Sequence, residues 1–404
     1  MTKFLDNILQ ESQNTHNGNL HLGYMNLKEI PDLREFEWVE KLNLDNNLIE
    51  KIIKERLPPK LKKLEISRNL LTEVNWEDLP STIEYLYLCN NKIVRFDGQK
   101  FEKLIKLIIK SNYLNDVIYP PNIKFLDISI NSLTELNNFP LQLENIDCSY
   151  NSIKKLPEIN DKLKNIDISC NKFKEFPVFP DNVIKIDCCR NEIKNVDKLP
   201  SGLEFLDLSI NKINDFSKLI LPPSLNYLNL SDNLLCEMPE LPTDIEEVDF
   251  SNNKLCQLKN IPDSVKILKI NNNYINVNDI PDELKKRDIY FEFEDDDSDS
   301  NFSSFWQGGK NNEEKNNEEK NNEKNTMSTS NNNEGSNQTR YFNHNRYYHQ
   351  NPNYYSSSQY NYSSYSNPFT EKYREELLNF RSNTKTKKNN PNYISYNYKK
   401  HIIL

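Results

Sequence analysis

Asp127, Asp147, Asp167, Asp187 and Asp207 recur at an interval of 20 residues. Each stands two places before Ser129, Ser149, Ser169, Cys189 or Ser209. A carboxylate row of that regularity has two chemical readings. In one, the hydroxyls and nearby amides take up the carboxylates locally, and the row is a habit of the backbone. In the other, it is a stripe of negative charge that attracts a basic segment of a partner. If the interval places these residues on adjacent strands they lie about 4.8 Å apart. Like charges at that distance repel by around 1 kcal/mol per neighbour even in water.

Two residues before the row runs a mixed column. Tyr85, Phe125, Phe205 and Tyr227 stand in it among Lys41, Lys63, Lys106 and Lys185. Exposed aromatics favour protein contact, although some such residues are simply part of a sheet face. Tyr87 and Asp249 extend the carboxylate column in either direction, so the candidate partner surface comprises these two residues, the four aromatics and the five aspartates.

Other reactive groups offer less. Cys236 and Cys256 occupy equivalent places one interval apart, close enough for a disulfide, with free thiols as the alternative in a reducing setting. Cys148 and Cys188 fall where leucine is expected and read as core residues. Cys188–Cys189 lack the paired spacing of a zinc site. The histidines at 16, 21, 344, 349 and 401 avoid the regular region, so no histidine-based triad or metal cluster is apparent there. Neither GxxxxGK[ST] nor GxGxxG occurs. The expectation is a chain without catalysis, cofactor or metal.

What positions the carboxylates is a repeat. Asn47, Asn69, Asn91, Asn112, Asn131, Asn151, Asn171, Asn191, Asn211, Asn233, Asn253 and Asn273 fall 19 to 22 residues apart. Around each, apolar residues recur at −8, −5, −3, +2 and +5; for Asn211 these are Leu203, Leu206, Leu208, Ile213 and Phe216. The −5/−3 alternation predicts a short strand with its apolar side chains inward. One coil cannot bury its own apolar face, so successive coils stack and share a core. The asparagine amide, with two donors and an acceptor, suits the peptide groups stranded where the chain turns after the strand. A buried aspartate would bring charge there, and a leucine would leave the turn unsatisfied.

This pattern resembles the leucine-rich repeat family, whose signature is LxxLxLxxNxL, over residues 17–293. Proline recurs at −11 in most coils, as at Pro58, Pro80, Pro140 and Pro180. With runs such as MPELP and FPVFP, the chain is similar to the short 20-residue subtype known from bacterial effector proteins. The resemblance implies an α/β-type solenoid: a curved parallel sheet of about 12–13 short strands on the concave side, with extended and turn segments on the convex side. It also implies protein recognition on the concave face. Effectors of this kind often carry a C-terminal ubiquitin-ligase domain with a catalytic cysteine. No cysteine follows Cys256, so that activity is not carried over. Coils reading REFEWVEKL and GQKFEKLIKL lack the proline and are expected to carry a helical turn. The ends are degenerate. Leu20, Leu22, Leu27 and Ile30 build a front coil with Met25 in the asparagine position. At the back Pro281, Leu284 and Ile289 keep the pattern, while Arg287 and Glu292 break it as water-facing cap residues.

Outside the repeats lie an N-terminal cap segment, 1–16, and a long tail. Only 36% of the 404 residues are hydrophobic, and the tail accounts for much of the deficit. It divides into an acidic Asn/Glu/Lys linker (294–336), a Tyr/Asn/Ser-rich stretch (337–366), an amphipathic helix (367–381) and a basic end (382–404). The linker and the Tyr-rich stretch are too poor in aliphatic residues to fold alone. Positive and negative charges balance across the tail, so the net −9 resides in the body and argues against a phosphate-binding surface there.

The tail offers two alternatives to recognition on the concave face: an adaptor that recruits a larger enzyme assembly through 367–381, or an RNA-binding or assembly factor that works through the tyrosines. No stretch reaches the ~18 apolar residues of a membrane span. The opening MTKFLDNILQESQ breaks its apolar run at Asp6 and Asn7, and the cysteine count is odd. A reducing cytoplasmic setting rather than secretion is expected.

Overall fold

In each coil one inward aliphatic residue sits between two outward ones, and the strand ends there because the next turn is left-handed. The residue before each ladder asparagine, from Asn46 to Asn272, has φ between 52° and 57°. That conformation breaks the strand after three residues and swings the chain across the edge of the sheet. In the computed structural model, which describes residues 10, 18–287 and 290–292, these strands form one 14-stranded parallel sheet. Neighbours pair residue for residue, as in Asn165↔Lys185, Ile166↔Ile186 and Asp167↔Asp187.

The sheet exceeds the expected strand number because both degenerate ends contribute. Asn19–His21 pairs with Lys41–Asn43 at the front, and Tyr290–Glu292 with Ile267–Lys269 at the back. The N-terminal segment up to residue 17, apart from residue 10, lies outside the described residues, as do 294–336, 337–366, 367–381 and 382–404. Among the described residues no helix is long and apolar enough to cross a membrane.

The −8, −5, −3 and +2 side chains make a continuous core; Leu203, Leu206, Leu208 and Ile213 are fully buried. Cys148 and Cys188 stand in that core as leucine substitutes. Beside it runs the amide ladder. Asn171 is representative: Nδ2 donates to the carbonyls of Ile168 (3.1 Å) and Cys148 in the preceding coil (3.0 Å), and Oδ1 accepts the Ile153 N–H at 2.9 Å. Each −3 carbonyl thus receives two amides, its own coil's and the next one's. Each +2 N–H relies on one. In the front coil Met25 brings no amide, and Asn47 takes over by accepting both Met25 N–H and Leu27 N–H and donating to Leu22 O.

Where a coil has the proline, it opens the turn that leads into the strand. Pro140, Pro180 and Pro222 offer their carbonyls to the N–H groups of Leu143, Val183 and Leu225, closing four-residue turns. The helical turns expected in the coils reading REFEWVEKL and GQKFEKLIKL are absent. Those segments run as successive reverse turns, Leu33–Phe36 with Phe36–Val39, and Gly98–Phe101 with Phe101–Leu104. Single 3-10 turns occur instead just before prolines, at Lys54–Arg56 and Trp76–Asp78. Leu57 and Leu79, the residues preceding Pro58 and Pro80, are extended and stop them, as the clash with a proline ring requires.

Two coils add a feature that the repeat does not announce. Arg95–Asp97 pairs with Asp116–Ile118 in a separate two-stranded sheet. Gly98 follows, and a Cβ there would lie 2.7 Å from Pro120. The next coil, with Glu135, Leu136 and Asn137 at the corresponding place, does not extend this sheet; further on, Pro157, Pro177 and Pro239 stand there and carry no N–H to pair. Arg287 is no water-facing cap residue. Its guanidinium donates to the carbonyls of Ile261 (2.9 Å) and Pro262 in the preceding coil.

Candidate binding face

The −4 side chains stand on the sheet face opposite the core, held in register by the pairing of their own strands. Asp127, Asp147, Asp167, Asp187 and Asp207 are consecutive cross-strand partners. They are half-buried, each flanked by its neighbours in the column.

Each carboxylate has a local partner. Oδ1 of Asp127 accepts the Ser129 N–H (3.1 Å) and hydroxyl (2.6 Å), and Asp147, Asp207 and Asp249 repeat this with Ser149, Ser209 and Ser251. Asp167 and Asp187 accept the N–H of Ser169 and Cys189. These bonds lock the side-chain direction. They do not remove the charge.

The electrostatics record the crowding. Burial, then the charge of Asp147, raises Asp127 to about 6. Burial and Asp207 raise Asp187 to about 6. Asp167, held between Asp147 and Asp187, is raised well above the usual carboxylate range, chiefly by burial. Asp207 is also raised, by burial first. Toward the back the row is relieved: Asn229 Nδ2 donates to Asp207 Oδ2 at 3.0 Å, and Lys269 lies 3.8 Å from Asp249.

The −6 column is a chain of rings and ammonium groups. Phe205 and Tyr227 stack with centroids 4.2 Å apart and planes 3° from parallel. Lys185 Nζ lies 4.3 Å from the Phe205 ring centroid. Lys106 lies about equally far from the rings of Tyr87 and Phe125, at 6.0 and 5.9 Å. Tyr85 is exposed at the sheet surface. Burial pushes the Tyr87 hydroxyl up to about 12. The structure therefore brings the sequence-selected residues onto one face, in two adjoining columns.

Asp187, Cys189 and Asp207 put their donor atoms within 4.8 Å of one another. Asp207 is already committed, Oδ1 to Ser209 and Oδ2 to Asn229, and Asp187 Oδ1 takes the Cys189 N–H. All seven cysteines are free thiols, Cys236 and Cys256 included.

Sequence reasoning missed the residues at −1, on the turn beside the face. Tyr150 is 44% exposed and Ile210 40%. The Tyr150 hydroxyl lies against the Cys170 thiol, which in turn meets Cys189 beside the carboxylates. The −1 position is mostly Asn, Asp, Ser or Arg, but holds Ile130, Tyr150, Cys170 and Ile210 in central coils and Tyr24 in the front one.

No family model and no curated protein matches this chain. Among solved structures it is similar to YopM, a leucine-rich effector protein from Yersinia pestis, with a TM-score of 0.60 and 28% identity over 66% of this chain and 75% of that one. An internalin (inlF) from Listeria monocytogenes gives a TM-score of 0.56 at 18% identity, over 70% of this chain and 88% of that one. The leucine-rich repeat domain of APL1B gives 0.57 at 19%, over 75% and 95%. The last two likenesses concern the fold alone.

Proposed function

Because the chain is a leucine-rich repeat protein, a stack of short coils with one sheet face uncovered, we propose that it is a non-enzymatic scaffold that binds another protein on that face. Proteins of this architecture are typically interaction scaffolds, since stacked coils offer a broad rigid surface at low ordering cost. The observation that carries the reading is the in-register carboxylate column from Asp127 to Asp207. Its side chains are fixed by their Ser and Cys neighbours yet remain electrostatically crowded. A basic segment of a partner relieves that crowding on binding, which makes the interaction dependent on salt. We place the protein in a reducing cytoplasm, in keeping with its free thiols.

The test is affinity capture with the full chain, compared by mass spectrometry with the Asp147→Asn/Asp167→Asn/Asp187→Asn variant. A partner retained by the native chain and lost, or bound without salt dependence, by the variant supports the reading. A partner held equally by both, with the same salt dependence, overturns it.

A further inference from the structure

Beside the uncovered face, the residue on each left-handed turn donates its N–H to a carbonyl of the next coil. Tyr150 is bonded in this way to Ser169, Cys170 to Cys189 and Arg190 to Ser209, at 3.0, 2.9 and 2.8 Å. Only in the middle pair do both residues carry a thiol. Backbones so bonded run about 4.8 Å apart, inside the range of roughly 4.4–6.8 Å between Cα atoms that a disulfide bridges. The two side chains meet, and both thiols are free.

Their surroundings separate these two sulfurs from the other five. Cys148 and Cys188 are fully buried in the core, and burial raises both thiols well above their ordinary value. Cys89 turns its sulfur to the Ile108 carbonyl. Cys236 and Cys256 are exposed, but each sulfur is turned to a carbonyl of its own coil, Leu234 O and Lys254 O. Cys170 and Cys189 are half-buried, within reach of a small solute. Cys170 has two donors against it, the Cys189 thiol and the Tyr150 hydroxyl, and Arg190 adds positive charge. Together these outweigh burial and the charge of Asp187, and they hold the Cys170 thiol below its ordinary value. Tyr150 is raised, by the Cys170 charge first, and keeps the proton it donates. Cys189 is raised too, by its bond to Cys170 first, then by burial and the charges of Asp187 and Asp207. One sulfur is thus favoured as thiolate, the nucleophilic form, and its neighbour as thiol.

We propose that Cys170 is a peroxide-reactive thiol and Cys189 its resolving partner, so that a hydroperoxide converts the pair into a disulfide between two neighbouring coils. The Cys170 sulfur attacks one peroxide oxygen; an S–O bond forms, the O–O bond breaks and hydroxide leaves. The Cys189 sulfur then attacks the Cys170 sulfur. The S–O bond breaks, and the departing oxygen takes the proton of the Cys189 thiol and leaves as water. Two electrons pass from the two sulfurs to the peroxide, and a thiol reductant reverses the change. The inference stands apart from any partner of the face.

The experiment treats the reduced full chain with graded hydrogen peroxide, blocks the remaining thiols with N-ethylmaleimide after unfolding, and maps the cysteines by peptide mass spectrometry. The expected product is a Cys170–Cys189 cross-link, reversed by dithiothreitol and formed at a peroxide dose about tenfold below that which oxidises Cys236 or Cys256. In Cys189→Ser the resolving thiol is gone, and dimedone, a trap for sulfenic acid, is expected to label Cys170. In Cys170→Ser, Cys189 is expected to stay open to N-ethylmaleimide at the same dose. Absence of the cross-link in the native chain, or oxidation of Cys236 or Cys256 at an equal or lower dose, overturns the proposal. So does a folded Cys189→Ser chain that takes no label, or a folded Cys170→Ser chain in which Cys189 is oxidised as readily as before. The native-chain measurement involves no substitution, so it decides the matter even where a variant fails to fold.

Discussion

Two polar ladders climb this molecule in the same register, four residues apart, and they behave in opposite ways. The amide ladder, Asn47 to Asn273, lies beside the core, and its members serve one another's coils: each donates to two −3 carbonyls and accepts a +2 N–H. The carboxylate ladder, Asp127 to Asp207, lies on the sheet face and has only acceptors to offer its neighbours. A neutral group with donors and acceptors is stabilised by stacking copies of itself. A charged group with acceptors alone is destabilised by it. The first ladder is therefore complete within the chain, whereas the second is relieved within it only toward the back, by Asn229 and Lys269.

The largest test of this contrast removes one amide. Asn171→Leu orphans the Ile153 N–H, whose acceptor is Asn171 Oδ1, and strips one of two donors from Cys148 O and Ile168 O. A buried unsatisfied group costs roughly 1–3 kcal/mol, and the weakened carbonyls add to it, so a loss of about 3 kcal/mol is expected. The urea midpoint measures it. A loss below about 1 kcal/mol would mean that the stack holds without its amides.

The carboxylates should respond with the opposite sign. Asp127 and Asp187 are raised to about 6 when folded, against an ordinary 3.8, and Asp167 and Asp207 are also raised. A carboxyl whose pKa is higher folded than unfolded favours the folded state when protonated. Stability contributed by the row is thus fully present below about pH 4 and is lost as pH rises through about 6. Asp147→Asn/Asp167→Asn/Asp187→Asn is expected to be more stable than the native chain at pH 7, by on the order of 2 kcal/mol after allowance for partial exposure. The advantage shrinks as pH falls toward 4. Thermal unfolding of both chains across that window checks it, and the exposed carboxylates with lowered pKa, such as Asp181 and Asp215, cancel in the difference. A variant less stable than the native chain at pH 7 would show that the row supports the fold.

The sequence was most informative where one requirement repeats. Any inward position filled by leucine in one coil and cysteine in another, as at Leu208 and Cys188, could be read from spacing alone, and so could the columns of the face. What escaped depended on departures from the repeat. The two-stranded sheet of Arg95–Asp97 and Asp116–Ile118 is one such departure: other neighbouring coils also lack a proline at this place and form no second sheet, so no motif within a coil announces it. Arg287 looked like a solvent residue until its reach to the carbonyls of Ile261 and Pro262 was visible. The helical turns expected in the proline-free coils failed because absence of a helix breaker does not make a helix. Those segments, Leu33–Val39 and Gly98–Leu104, form successive reverse turns instead. The exposed residues at −1, Tyr150 and Ile210, were passed over because the residue type at that place changes from coil to coil.

The smallest effect sharpens the comparison within the face itself. Phe205 and Tyr227 are stacked copies too, neutral ones, in the column beside the carboxylates. If self-stacking is unfavourable only for charge, this pair should couple favourably, by about 1 kcal/mol, as offset aromatic pairs do beyond the area they bury. A double-mutant cycle with Phe205→Leu and Tyr227→Leu, read by urea midpoint, isolates that coupling because leucine keeps most of the apolar volume and removes the ring contact. Lys185 sits over Phe205, so a parallel cycle in the Lys185→Met background distinguishes ring–ring from cation–ring attraction. Coupling that survives the methionine belongs to the rings. Coupling that vanishes with the ammonium would assign the stability of this column to charge after all, and the division between a self-completing neutral ladder and an incomplete charged one would hold for the amides alone.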